Sequence, residues 1–225
     1  MTKIELNKLN RIGNRIFTNP TLGKSFKPSR INMISGNTLR GFHLINKLKP
    51  GSSKILDKFH ETHYEDIFNA LKKIKSEKDL KIFSEKYRNI LLNLLRKNIK
   101  HEQLKSFNKT RKVLDLYFEH LVALDSRFTK TEREKLSGLL FLPLDSWIIK
   151  NDFVFSSSER KELKLNMNYT FSCIRTLEHY YEIQNYLKEN LKGLEHRIYF
   201  DLFWKSQYKN TNAKNLIELH FRKIK

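Results

Sequence analysis

Ser106-Phe-Asn-Lys-Thr110-Arg-Lys112-Val-Leu-Asp115-Leu-Tyr-Phe-Glu-His120-Leu is the stretch whose reading decides the fold. From Thr110 to Leu124 apolar side chains cover most of a helical circumference: Val113, Leu114, Leu116, Tyr117, Phe118, Leu121 and Val122. A helix apolar nearly all round has to be buried at the centre of its domain. Lys112 and Asp115 interrupt it near its start, and a partly buried aspartate must find hydrogen-bond donors unless it faces solvent. Downstream, Leu142-Pro-Leu-Asp145-Ser-Trp147 places an aspartate after a proline. The proline forces an extended approach, and Asp145 or Ser146 then caps a helix over Trp147–Lys150. A lysine and a carboxylate in one cleft have a chemistry in common. The neutral amine attacks electrophilic carbon while the carboxylate moves protons or stabilises positive charge.

Helical patterns extend outward from this centre. Residues 1–30 read as a short helix followed by a basic loop, with Arg11, Arg15, Lys24, Lys27 and Arg30 available to a nucleic-acid backbone. Ile31–Leu48 fits either a small hairpin or irregular structure, and Pro50-Gly51 ends it. Lys54–Ser76 is helical, with a possible break at His60–His63. His60-Glu61-Thr62-His63 lacks the one-turn histidine spacing of a zinc helix, so these histidines are expected on a solvated surface. Ser76–Lys100 carries an apolar stripe from Phe83 to Leu95 and a Ser76-x-x-Asp79 cap. Thr131-Glu-Arg-Glu134 reads as a capping box opening a helix to Leu140, and Ser156–Ser158 with Glu159 as another N-terminal signal. Ile174–Leu191 is amphipathic and closed by Gly193. Tyr199, Phe200, Phe203, Trp204 and Tyr208 form an aromatic cluster, and Ala213–Arg222 is the last helix. The expected class is all-α: one unit of residues 1–225 in two lobes flanking a basic cleft. Residues 1–50 form the basic N-terminal part, 51–155 the lobe with the site, and 156–225 the aromatic-rich helices.

Composition narrows the function. Forty-four Lys and Arg against 24 Asp and Glu leave a net charge of +20. Such an excess favours a polyanion through counterion release. The single cysteine, Cys173, rules out an internal disulfide and a multi-cysteine metal or iron–sulfur centre. No metal or cofactor is expected. The sequence has neither a membrane-length apolar run nor an apolar leader behind Met1, which points to the cytoplasm, in association with the nucleoid. Seven glycines and no glycine-rich phosphate loop argue against a nucleotide-binding α/β fold.

The pairing of Lys112-Val-Leu-Asp115 with Pro143-Leu-Asp145 resembles the helix-hairpin-helix superfamily of DNA glycosylases, most closely the 8-oxoguanine branch and its archaeal-type enzymes. The matching stretch covers about a fifth of the chain. The resemblance implies that Lys112 attacks the sugar and Asp145 assists. It also implies that Asp115 holds backbone amides near the hairpin. The family's glycine-rich hairpin is absent, since Ser106-Phe-Asn-Lys109 precedes Lys112. The expected substrate is duplex DNA with a modified base extruded from the stack, bound by a monomer, in repair or in defence against modified phage DNA. Lys105, Asn108, Lys109 and Arg111 would contact DNA, and Lys109 and Arg111 would lower the proton affinity of Lys112. Trp147, Phe203 and Trp204 would line the base pocket, although Phe203 and Trp204 also suit a core. The rival readings are a non-catalytic nucleic-acid-binding protein on the same scaffold, and an RNA-binding or assembly protein.

Overall fold

The computed structural model describes residues 1–18, 52–97, 99, 104–166 and 170–203, and among these there is helix but no strand. In chain order the helices are α1 (Lys3–Thr18), α2 (Ser52–Lys73), α3 (Glu77–Arg96), α4 (Phe107–Leu124), α5 (Lys130–Leu139), α6 (Ser146–Lys150), α7 (Ser157–Glu162) and α8 (Leu177–Glu189). Two 3-10 turns, Thr170–Cys173 and Arg197–Phe203, flank α8. The possible hairpin at Ile31–Leu48, the basic residues Lys24, Lys27 and Arg30, Trp204 and the helix at Ala213–Arg222 lie outside the described residues.

Helix α4 is the axis. Every residue from Thr110 to Leu124 is buried, and α1, α3, α5, α8 and the Thr170–Cys173 turn all pack on it. Each large apolar side chain that it removes from water contributes about 1.5–3 kcal/mol. Its first two amides are satisfied from outside the helix. Phe107 donates to the Arg175 carbonyl at 3.3 Å and Asn108 to the Ile174 carbonyl at 3.2 Å. At its other end the buried Arg133 donates to the carbonyls of Ala123 (2.5 Å), Asp125 (2.6 Å) and Phe128 (3.2 Å).

The local signals mostly act where the sequence puts them. The Ser76–Asp79 capping box starts α3, the Ser156–Glu159 box starts α7, and Asp145 caps α6. The box that opens α5 is Thr129–Glu132, two residues earlier than expected. Both registers satisfy the pattern. The earlier one carries Arg133 into the carbonyls at the end of α4, which the sequence does not reveal.

Helix α2 runs unbroken past His60 and His63. His60 is fully buried rather than solvated, with its ring stacked on Tyr117 at 4.0 Å between centroids. Burial, and secondarily His120, pushes its pKa down to about 3, so it stays neutral. Helix α1 docks through Ile16 and Phe17, each 1% exposed. Gly13 allows that approach, because a Cβ there would lie 2.7 Å from the Tyr199 ring.

Candidate functional site

The site is built around the extended segment Leu140–Asp145 between α5 and α6. Such a segment exposes its backbone polar groups, which must be satisfied if buried. Three buried side chains do this. Gln184 of α8 accepts from the Leu142 amide at 3.0 Å and donates to the Leu142 carbonyl at 2.8 Å. Arg197 donates to the carbonyls of Leu139 (2.7 Å) and Leu140 (2.9 Å). Asn108 donates its side-chain amide to the Leu144 carbonyl at 2.7 Å. Asn108 is fully buried and straps the segment to the first turn of α4, so it does not serve as a DNA contact in this conformation.

Asp145 follows directly. Its Oδ1 accepts from the amides of Trp147 (2.8 Å) and Ile148 (2.9 Å), and the residue is 8% exposed. Lys112, one turn beyond Asn108 on α4, is also 8% exposed. The group that reports on both is Asp201, in the Arg197–Phe203 turn. Asp201 is 1% exposed and its Oδ2 has no hydrogen-bond partner among the described residues. Burial pushes its pKa up to about 8, with Asp145 raising it further and Lys112 lowering it. Lys112, Asp145 and Asp201 thus act on one another from α4, from the cap of α6 and from the turn that packs on α6.

Behind them lies Glu119, two turns along α4 from Lys112. It is fully buried, and neither carboxylate oxygen has a hydrogen-bond partner among the described residues. Burial, then Asp201 and Asp115, lifts its pKa well above the usual carboxylate range. An ionised carboxylate without partners in such surroundings is too costly, so Glu119 stays protonated at neutral pH. Sequence reasoning missed both acids. The available signals were a lone aspartate inside Tyr199-Phe-Asp-Leu-Phe203 and a glutamate in helical register with Lys112.

Other expected residues take different roles. Arg111 is fully buried. Its Nε donates to Asp115 at 2.9 Å, one terminal nitrogen reaches Glu85 at 3.1 Å, and the guanidinium lies over Phe141 and Tyr180. It is withdrawn from any phosphate, and its charge is matched within the core. Asp115 neither faces solvent nor holds backbone amides: it accepts from Arg111 and, at 2.5 Å, from the Tyr180 hydroxyl. Burial raises its pKa to about 6 against the opposing pull of Arg111 and Tyr180. Lys105 is exposed and Lys109 half-buried, with burial lowering the Lys109 pKa. Trp147 is half-buried against the core, and Phe203 is 8% exposed and stacks on Phe153 at 4.7 Å.

Comparison with protein-family models, curated proteins and solved structures returns no match.

Among the described residues no cluster of His, Cys, Asp and Glu is arranged to hold a metal ion, and no helix is long and apolar enough to cross a membrane. A separate groove of about 470 Å³ lies between α2 and α3, lined by Lys54, Ile55, Lys58, His63, Leu94 and Lys97. It includes neither Lys112 nor Asp145.

Proposed function

We propose that this protein is a DNA glycosylase with an associated lyase step, excising a modified base through a Schiff base on Lys112. What supports the reading is that Lys112 and Asp145 are both 8% exposed, and that Asp145 caps α6, on which the turn carrying the buried Asp201 packs. A lysine nucleophile works best where solvent is thin and carboxylates can take its proton. The net charge of +20 supplies the attraction to a polyanion. In this reading duplex DNA lies in a basic cleft between two lobes. The exposed Lys105 and half-buried Lys109 contribute to that grip. The target base leaves the stack so that its sugar carbon reaches Lys112, and Trp147 flanks it. Asp145, fixed by its two amide bonds, stabilises the developing positive charge on the sugar. No cofactor takes part. The protein acts as a monomer on the nucleoid in the cytoplasm, in repair or in defence against modified phage DNA.

The test is base release and borohydride trapping on duplexes carrying 8-oxoguanine, other oxidised bases or phage-type modified cytosines. A covalent protein–DNA adduct on at least one duplex supports the enzyme. Tight binding to all of them with no adduct and no base release replaces it with the non-catalytic nucleic-acid-binding protein.

A further inference from the structure

We propose that the groove between α2 and α3 is a binding site for a single-chain anionic amphiphile, a medium-length fatty carboxylate. The site is separate from Lys112 and Asp145, and its occupancy does not depend on the chemistry assigned to them. Helices α2 and α3 run antiparallel across the short link at residues 74–76, so the start of α2 lies beside the end of α3. Ile55 of α2 and Ile90 and Leu94 of α3 line the groove, and each packs on the core beneath. The exposed Lys54 and Lys58, one turn apart on α2, and the exposed Lys97, at the end of α3, complete this lining. Toward the link stand Thr62 and His63, whose ring meets Phe59 at 5.0 Å and Tyr87 at 5.7 Å between centroids. The volume, about 470 Å³, is on the scale of a small-molecule pocket.

Charge and shape select the occupant. No acidic side chain lines the groove, and α3 carries none between Glu85 and Lys97. Nearer the link, lysines of the same two helices are paired: Lys72 with Glu132 at 3.3 Å and Lys81 with Glu77 at 3.5 Å. Lys54, Lys58 and Lys97 have no carboxylate partner among the described residues. An anion placed there meets three cations and no competing acid. A lysine keeps its ammonium in water while its alkyl stem covers apolar surface, so the three stems extend the walls over a hydrocarbon chain. A nucleobase would seek a flat aromatic face. This lining is aliphatic, and its one ring, His63, already meets Phe59 and Tyr87. Lys54 and Thr62 lie about 12 Å apart along α2, at roughly 1.5 Å per residue. A chain of about ten carbons covers that length, at the roughly 1.2 Å per bond of an extended backbone. Its carboxylate sits by Lys54 and Lys97, and its chain passes Ile55, Leu94 and Ile90 toward His63.

The test titrates full-length protein, labelled at its isoleucine and leucine methyl groups, with decanoate and follows methyl NMR. The Ile55, Ile90 and Leu94 signals should shift and saturate together, while those of the buried Ile148 and Ile183 stay in place. Each methylene removed from the chain should weaken binding about two- to fourfold. Acetate, the head without the chain, should move none of the three. Decyltrimethylammonium, the same chain with the opposite charge, should bind at least about tenfold more weakly than decanoate. Lys54→Glu with Lys58→Glu should weaken decanoate about tenfold relative to Lys3→Glu with Lys8→Glu. The second pair makes an equal change of charge on α1, which packs on α4, α5 and the Arg197–Phe203 turn. All four lysines are exposed, and the core methyl signals establish that both variants fold. Equal affinity for the anionic and cationic chains, or equal loss in the two double variants, overturns the proposal. So do shifts confined to other methyl groups. A deoxynucleoside monophosphate that moves the three signals at lower concentration than decanoate overturns it too, and makes the groove a nucleotide site.

Discussion

Arg111 and Lys112 are neighbours on α4, and the regions around them are opposites. The Arg111 region is closed: Asp115, Glu85, Tyr180 and Tyr181 meet the guanidinium, and three aromatic rings surround it. The Lys112 region gathers Asp145, Asp201 and Glu119, and two of those acids keep oxygens without partners. Both regions are buried. What differs is the charge left over: Arg111 has two carboxylates against it and only its Nη2 without a partner among the described residues, while Glu119 has neither oxygen partnered and Asp201 one oxygen unpartnered. A satisfied buried ion pair fixes the packing of one fold. Unsatisfied buried acids beside a lysine destabilise the fold, and they hold protons available for chemistry.

The largest expected effect lies on the Lys112 side. Asp145→Asn keeps an N-cap side chain on α6, so stability changes by less than about 0.5 kcal/mol. DNA binding is unchanged or tighter, because a negative charge is lost. The single-turnover rate of base release falls about 10²–10⁴-fold. A variant of near wild-type rate would remove Asp145 from the chemistry.

On the Arg111 side the effect is on folding. Arg111→Ala leaves Asp115 and Glu85 without their buried counter-ion, and denaturant titration should show a loss of about 3–5 kcal/mol. A loss below about 1 kcal/mol would mean that the closed region is not the structural half of the helix.

Glu119→Leu sharpens the contrast with a change of opposite sign. Replacing an unpartnered acid by an apolar residue of similar size should raise stability by about 1–3 kcal/mol. A destabilised variant would show that Glu119 has a structural role.

The pH dependence follows from Asp201. Its folded pKa, about 8, lies above that of the unfolded chain. The native state therefore holds a proton that the unfolded state has already released. This contribution is present below the unfolded pKa, near 4, and is lost as pH rises toward 8. His60, whose folded pKa is about 3, has the opposite slope up to about pH 6.5. The informative quantity is thus the difference between wild type and Asp201→Asn. Wild type should lose up to about 1.4 kcal/mol per pH unit relative to the variant between pH 5 and 7.5. Parallel stability curves would place Asp201 in an ordinary environment.

Much of this architecture was legible in the sequence. The apolar circumference of 110–124 announced a central helix, and Ser76, Ser156 and Asp145 announced their caps, because these signals act within one turn of chain. The resemblance pairs Lys112 with Asp145, and each of them is 8% exposed in the structure. Glu119 and Asp201 were not read, since one acid on a helix and one among aromatics look like surface positions until packing buries them. Arg111 and Asn108 were misassigned for a related reason. A basic or amide side chain at the start of a helix looks available to phosphate. Here both turn inward, one to Asp115 and the other to the carbonyl of Leu144.

The most direct test of the central claim is the position of the covalent adduct. Protein trapped by borohydride on a modified duplex is digested, and the cross-linked peptide is sequenced by mass spectrometry. The account predicts the sugar remnant on Lys112, with trapping abolished in Lys112→Gln while most DNA binding persists. A remnant on half-buried Lys109, with trapping that survives Lys112→Gln, would contradict it.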